Sequence, residues 1–376
     1  METTIYNSVS AIKSTVWNTL DCKHNIYFCP EFLDAFEVSN PNIDFKYIVV
    51  KDHDTPVALA TIQTISLGVD VILKNIKLKA WLKRRIHAMF CRDHINIMFC
   101  GNIFLSGEHG IFIAKDIEKK QVADAISKAI KRLAKQTKPL HAIFIKDFVD
   151  TSRKWTDQFE QSRFTAMHVE PNMIIHLDEK WTTFEDYKKA LKSKYRVKVN
   201  KADSKSAALE AKLFCEEDFA IHKDELQQLY ENTIANANFN AQVLNLNTYI
   251  KLRAIYKEDF IVKAYFLEGE LVGFLTALAN NNHLDAHFIG LNYDLNKAHA
   301  IYPRILNDYI RIGIEKQVSH INFGRTASEI KTTVGAVPTE LTCYIKHKRP
   351  LVNHMIRPFI KRITLKDFKQ HKPFKN

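Results

Sequence analysis

The chain has 376 residues, of which 46% are hydrophobic, a composition that suits two domains with buried cores and excludes a disordered protein. Ten glycines, with neither GxxxxGKS/T nor GxGxxG among them, exclude P-loop, kinase and dinucleotide-binding readings, because those loops need glycine where backbone closes on phosphate. The formal charge of +12 is unevenly distributed, with bases concentrated in three stretches.

After a short N-terminal stretch, Cys29–Ser39 is expected to be a helix, with Pro30 near its first turn and Phe32, Leu33 and Phe36 on one side. Phe45–Asp52 and Val57–Leu67 form a hairpin across His53–Pro56. Residues 70–100 mix apolar side chains with bases, seven of the bases falling between Lys74 and Asp93. Two readings stay open: an amphipathic helix with a solvated face, or a surface for lipid headgroups or an anionic ligand. Ile97–Ile113 is strand-like but broken at Gly101, Gly107 and Gly110. Val122–Gln136 is an amphipathic helix whose stripe is Val122, Ala125, Ile126, Ala129, Ile130 and Leu133. Strands follow at His141–Phe148 and Pro171–Asp178, and a first unit is expected to end at 178.

A second unit, 179–345, opens with a helix over Trp181–Lys205 that turns Phe184, Tyr187, Leu191 and Tyr195 inward. Residues 188–205 carry eight bases against Asp203. A strand (Ala208–Glu217) and two helices (Lys223–Ala237, Asn247–Lys257) lead to a second hairpin, Phe260–Gly269 with Leu271–Ala279. In the next strand, His283–Leu291, alternation places His283, Asp285 and His287 on one face and Leu284, Ala286 and Phe288 on the other. A helix over Ala298–Gln317, a short strand His320–Thr326, a helical turn and a strand at 340–348 complete the unit. In the tail, 346–376, ten bases meet only Asp367, and apolar residues recur at helical spacing from Leu351 to Ile363, with Pro358 expected to bend the helix. The two hairpins share length and a helix-then-hairpin setting, a weak internal repeat. The fold class is therefore α/β of the α+β kind, in two related units.

Six cysteines without a CxxC pair argue against zinc ribbons and disulfide frameworks and fit a reducing cytoplasm. The start METTIYNSVS lacks the order of an export signal, and no window holds the roughly 18 consecutive apolar residues of a spanning helix. The protein is expected to be cytoplasmic, with the basic segments allowing peripheral contact with an anionic inner membrane face. No HExxH occurs and His283 and His287 lack a third ligand at suggestive spacing, so no metal is expected. Cys343 is expected in the core.

Leu191–Ala202, Glu270–Phe274, Ile301–Lys316 and Asn322–Leu341, with Pro30–Glu37 and Pro171–Tyr187 upstream, resemble the acetyltransferase-like (GNAT-fold) family related to the Fem peptidoglycan aminoacyl-transferases. The resemblance spans about 30 to 340. It implies two tandem GNAT-type domains, each a mainly antiparallel sheet flanked by helices, and transfer of an acyl or aminoacyl group to an amine. Ordinary members hold the coenzyme A pyrophosphate on a glycine-rich loop before the main helix. The matching segment here, Asn292–Arg304, has no glycine. The donor is therefore left open between acetyl-CoA or another acyl-CoA and an aminoacyl-tRNA. The acceptor is a small or lipid-linked amine of a cell-envelope precursor. Two other outcomes are an idle GNAT-fold protein binding RNA or envelope components, and an ordinary acetyl-CoA-dependent N-acetyltransferase.

Where this fold keeps its reaction centre, Asp285 and His287 are candidates for base or amine-orienting pair, and Tyr302 for proton donor to the leaving group. Arg325 and Lys331, after the strand ending at Gly324, are candidates to clamp a phosphate or carboxylate. Lys194, Arg196 and Lys198 are candidates for tRNA phosphates or a lipid-linked pyrophosphate. For each, the simpler alternative is a solvated or hydrogen-bonded surface position.

Overall fold

The computed structural model describes residues 1–68, 94–236, 242–363, 365 and 367–375. The basic apolar stretch expected from 70 onward lies, as far as 93, outside them. The chain forms two compact units. One comprises Met1–Val169, Asn238–Val243 and Glu340–Leu365; the other comprises Glu170–Ala237, Leu244–Thr339 and Lys366–Asn376. Both are discontinuous in sequence, where contiguous blocks divided at 178 and 345 were expected.

The first unit contains β1 (Glu2–Tyr6), β2 (Asp44–Asp52), β3 (Thr55–Gly68), β4 (His94–Cys100), β5 (Ile111–Ile113) and β6 (Ala142–Val149). β1 to β4 pair antiparallel in succession, β5 adds to β3, and β6 runs parallel to β4. The helix Lys119–Gln136 packs its expected stripe, from Val122 to Leu133, with Ile48, Ala60, Met98 and Ile145 in one core.

The second unit contains β7 (Thr165–His176) from Glu170 onward, β8 (Glu210–Leu213), β9 (Phe260–Leu267), β10 (Glu270–Asn280), β11 (His283–Leu291) and β12 (His320–Asn322). β8, β9, β10 and β11 pair antiparallel in turn, β12 runs parallel to β11, and β7 pairs antiparallel with β12. The long helix Ile301–Glu315 buries Ile301, Ile305, Tyr309 and Ile312, the residues its spacing marked. The last strand, β13 (Val337–His347), pairs with β6 from Leu341 against Val149 to His347 against Ala142, within the first unit. The internal repeat is thus explicit. β2-β3-β4, a long helix and parallel β6 correspond to β9-β10-β11, a long helix and parallel β12.

Three local expectations change. The helix over Trp181–Lys205 is two helices, Phe184–Ala190 and Ser193–Lys205, because Leu191 and Lys192 are extended. Leu191 bridges to Phe374, Lys192 N–H donates to the Pro373 carbonyl and Lys375 N–H to that of Ala190, so the C-terminal segment occupies the break. The helix expected from Ala298 begins at Ile301 and is preceded by a separate helix, Tyr293–His299, with Ala300 in the left-handed region at φ 48° between them. In β11 the register slips between Leu275/Ala277 of its partner, leaving His287 and Phe288 opposite the single residue Thr276. This bulge turns Phe288 to the side of His287, so it does not join Leu284 and Ala286. Phe288 meets Tyr230 and Tyr249 while Leu284 and Ala286 pack in the core of the long helix.

Candidate functional site

β11 and β12 pair over only three residues, His283–Asp285 against His320–Asn322. Beyond them the chain of β12 keeps to β7, Phe323 N–H bonding the Met173 carbonyl and Met173 N–H that of Gly324. Two parallel strands therefore part just after Asp285. Asn322 sits at the fork: its amide donates to Asp285 Oδ1 at 3.1 Å and its carbonyl oxygen accepts from Gly324 N–H at 3.0 Å.

Asp285 is buried, and its Oδ2 lies 3.2 Å from His283 Nε2. The register aligns His283, His320 and His176 across β11, β12 and β7. The rings of His283 and His320 stack at 5.0 Å and 9°. The hydrogen bond to Asp285 raises the pKa of His283, whereas burial, then the charges of His283 and His176, lower that of His320. His287, farther along β11, places Nδ1 3.3 Å from the Tyr249 hydroxyl, and its ring contacts Phe260 edge-on. Asp285 and His287 share a face, as alternation predicts, and each has neighbours that sequence spacing did not identify. Among the described residues no cluster of three or more His, Cys, Asp or Glu is arranged to hold a metal ion.

Lys331 is buried, and its ammonium donates to the carbonyls of Phe323 at 2.8 Å, Gly324 at 3.3 Å and Arg325 at 2.7 Å. Burial pulls its pKa down from the ordinary 10.5 to about 7. In this geometry Lys331 fastens the loop after β12 to the helix Ser328–Thr333 and is turned away from solvent anions. Arg325 is half-buried in that loop, which takes the left-handed region at Gly324 (φ 67°), Thr326 (φ 66°) and Ala327 (φ 47°). Two successive non-glycine residues at positive φ, Thr326 and Ala327, follow directly on the carbonyls that Lys331 binds.

A cavity of about 700 Å³ opens in the second unit beside the N-terminal half of the long helix. Its apolar wall includes Val199, Ala202, Pro303, Leu306, Ile330 and Val334, and its cations are Lys198, Lys201, Lys205 and Lys297. Tyr302 lines it, and burial raises the phenol pKa, so the group is a proton donor at neutral pH. Of the sequence candidates, Tyr302 and Lys198 meet in this cavity, while Asp285, His287, Arg325, Lys331, Lys194 and Arg196 are not among its lining. Lys194 and Lys198 flank the ring of Tyr195, at 5.9 and 5.8 Å, and Arg196 is half-buried. The Tyr195 hydroxyl bonds His371 Nδ1 at 3.2 Å, bringing the C-terminal segment to the cavity.

Sequence reasoning missed Lys201, Lys205 and Lys297 as lining, although the first two belong to the basic run it marked. It also missed Asp308, fully buried on the long helix. Asp308 meets Lys263 at 3.0 Å, Arg304 at 3.1 Å, Arg311 at 2.6 Å and the Tyr265 hydroxyl at 2.8 Å. Burial alone would raise this carboxyl, but Lys263 and Arg304 hold it below its ordinary range. The i,i+3 and i,i+4 spacing of Arg304, Asp308 and Arg311 was the available signal. At the start of the same helix, Asn296 Oδ1 accepts the Tyr302 N–H at 2.9 Å and Pro303 has no N–H to offer.

Antiparallel strands leading into a parallel pair, repeated in two units and forked after Asp285 in the second, define a tandem GNAT-type fold. Residues 106–376 match the FemAB-like family, described as peptidoglycan biosynthesis/recognition, and the chain belongs to that family. Solved structures similar to it include FemX, with 11% identity, a TM-score of 0.53, and 92% of this chain and 97% of that one covered. A tandem GNAT protein from the clavulanic acid biosynthesis pathway has 8% identity and a TM-score of 0.52, with 93% and 99% covered. L-PGS from Bacillus licheniformis has 10% identity and a TM-score of 0.50, with 94% and 97% covered. No curated protein matches the chain.

Proposed function

We propose that the protein is an acyl- or aminoacyl-transferase that moves an acyl group from an ester or thioester to an amine of a peptidoglycan-type precursor. The observation that carries this reading is the cavity of about 700 Å³, apolar along its wall, cationic through Lys198, Lys201, Lys205 and Lys297, and holding the Tyr302 phenol. Such a site suits an acyl arm with phosphates at its mouth. The amine nitrogen attacks the carbonyl carbon, the bond to the leaving oxygen or sulfur breaks, and Tyr302 supplies that atom with a proton. The amine loses one proton, which restores the phenol through solvent, so the step balances.

Aminoacyl-tRNA is favoured over acetyl-CoA as donor. The helix start that carries pyrophosphate in coenzyme A users has its Tyr302 N–H bonded to Asn296 and a proline next to it. The free state of Cys22, Cys29, Cys100, Cys215 and Cys343 fits action in the cytoplasm.

The test is transfer of labelled amino acid from charged tRNA to a peptidoglycan-precursor amine, with acetyl-CoA as the competing donor. Tyr302→Phe is expected to lower kcat about a hundredfold with donor affinity retained. Lys198→Ala and Lys205→Ala are expected to weaken tRNA binding and flatten its salt dependence by about 0.7 in log–log slope per lysine. Acetyl transfer without aminoacyl transfer overturns the choice of donor, and tRNA binding without any transfer overturns the proposal.

A further inference from the structure

The helix Pro350–Ile360, in the first unit, carries a second apolar ridge turned to solvent. A helix resting on a soluble protein normally turns apolar residues inward. Here the buried positions are Asn353 and Ile360, while Leu351, Met355 and Phe359 are 73%, 61% and 69% exposed and Ile363, just beyond, is 52% exposed. Their spacing of four places them in one ridge along the outer face. The inward position of Asn353 is fixed by hydrogen bonds: its carbonyl oxygen accepts from His347 N–H at 2.8 Å and its amide donates to the Arg163 carbonyl at 3.0 Å. The helix is therefore seated by Asn353 and Ile360, with Val352 and Ile356 half-buried, and its Leu351, Met355 and Phe359 ridge faces out.

The charge along this segment has one sign. Arg349, Arg357, Lys361 and Arg362 are exposed, and no acid occurs between Glu340 and Asp367. Lys346, just upstream, lies near Lys131 and Arg163, and burial followed by those two charges lowers its pKa from 10.5 to about 8. These cations lack the acids that a protein partner of mixed charge would meet. A second copy docking by two-fold symmetry would set the same bases against themselves. An anionic lipid surface satisfies both features, taking the ridge into the acyl boundary and the bases among the headgroups.

We propose that Pro350–Ile363 is an interfacial anchor that seats this protein on a membrane containing anionic lipid. The inference is independent of the proposed transfer reaction and uses none of the residues lining the cavity of the second unit. It restricts the role expected of the whole basic tail to its first half. Residues 369–375 are instead engaged within the second unit, where Lys369, Lys372 and Pro373 carbonyls accept hydrogen bonds from Thr332 and Lys192.

The test is co-sedimentation of the full chain with vesicles of phosphatidylcholine alone, or mixed with about 30% phosphatidylglycerol, at low and physiological salt. Wild type is expected to bind the anionic vesicles and to weaken as salt rises. Met355→Ser with Phe359→Ser is expected to lower partitioning about tenfold or more, with the melting temperature unchanged because both side chains are exposed. Equal binding by wild type and the double variant overturns the proposal. So does a wild-type dimer in solution that the double variant dissolves while neither protein binds vesicles. Transfer assayed with a soluble precursor keeps the two readings distinguishable, since the double variant retains it if only the anchor is lost.

Discussion

Asp285 shows how far a single position can be understood from spacing. Alternation places it on the face of His283 and His287, but the partners that matter at the fork, Asn322 and the aligned His320, come from a strand 35 or more residues later. The histidines carry a measurable consequence. His283 is expected to titrate above the ordinary 6.5 and His320 below it, in an NMR titration of the imidazoles. Asp285→Asn removes the acceptor that raises His283, and its charge also supports His320, so both values are expected to fall. Because the folded-state pKa of His283 is raised, its pairing stabilises the fold fully below pH 6.5 and is lost as pH rises through the raised value. The destabilisation by Asp285→Asn in urea is therefore expected to be larger at pH 6 than at pH 9; the reverse order contradicts the assignment. Lys331 is the opposite lesson. A lysine after a strand end reads as a cation for ligands, and nothing in its neighbours signals that three carbonyls enclose it. The place of Tyr302 in the first turn of a long helix was legible from hydrophobic period alone.

At the scale of elements, long periodic segments were readable and their interruptions were not. Hairpins, the two long helices and the outward helix announce themselves by spacing. The break at Leu191 and Lys192 does not, because it depends on a segment some 180 residues away that inserts Phe374. Phe374 packs on Trp181 at 5.5 Å and on Tyr187 at 6.1 Å. It also lies over Gly335, where φ is +110° and a Cβ would come within 2.4 Å of the ring. The missing side chain at 335 and the ring at 374 are one fitted contact. Phe374→Ala is expected to cost about 2 kcal/mol, less than a core phenylalanine because the ring is half-buried. The loss is read as a lower melting temperature, together with faster amide exchange over 188–195, where the C-terminal segment fills the helix break. Wild-type exchange there would show that the break does not depend on the tail.

For the whole molecule, the repeat was legible and the boundaries were not, for a topological reason. Hydrophobic period reports which residues face a core, but not which core a late strand joins. β13 joins the first unit by pairing with β6, although nearly 190 residues separate their ends. Its Tyr344 is fully buried, packs against Phe148 and Phe159 with the rings tilted, and hydrogen-bonds Asp157 and Thr156, each at 2.8 Å. A chain cut at 178 lacks that strand, leaving β6 an unpaired edge and a hole the size of a tyrosine among Phe148, Phe159 and Phe164. Removing one large core side chain costs about 3–5 kcal/mol, of the order of a domain's whole stability, before the lost strand pairing is counted. Fragment 1–178 is therefore expected to be unfolded or aggregated by near-UV dichroism and proton NMR. The same fragment with 340–365 attached through a flexible linker is expected to give a cooperative thermal transition. A fragment 1–178 that melts cooperatively by itself would show that the first unit does not require the strand, and that the contiguous division at 178 is sufficient for folding.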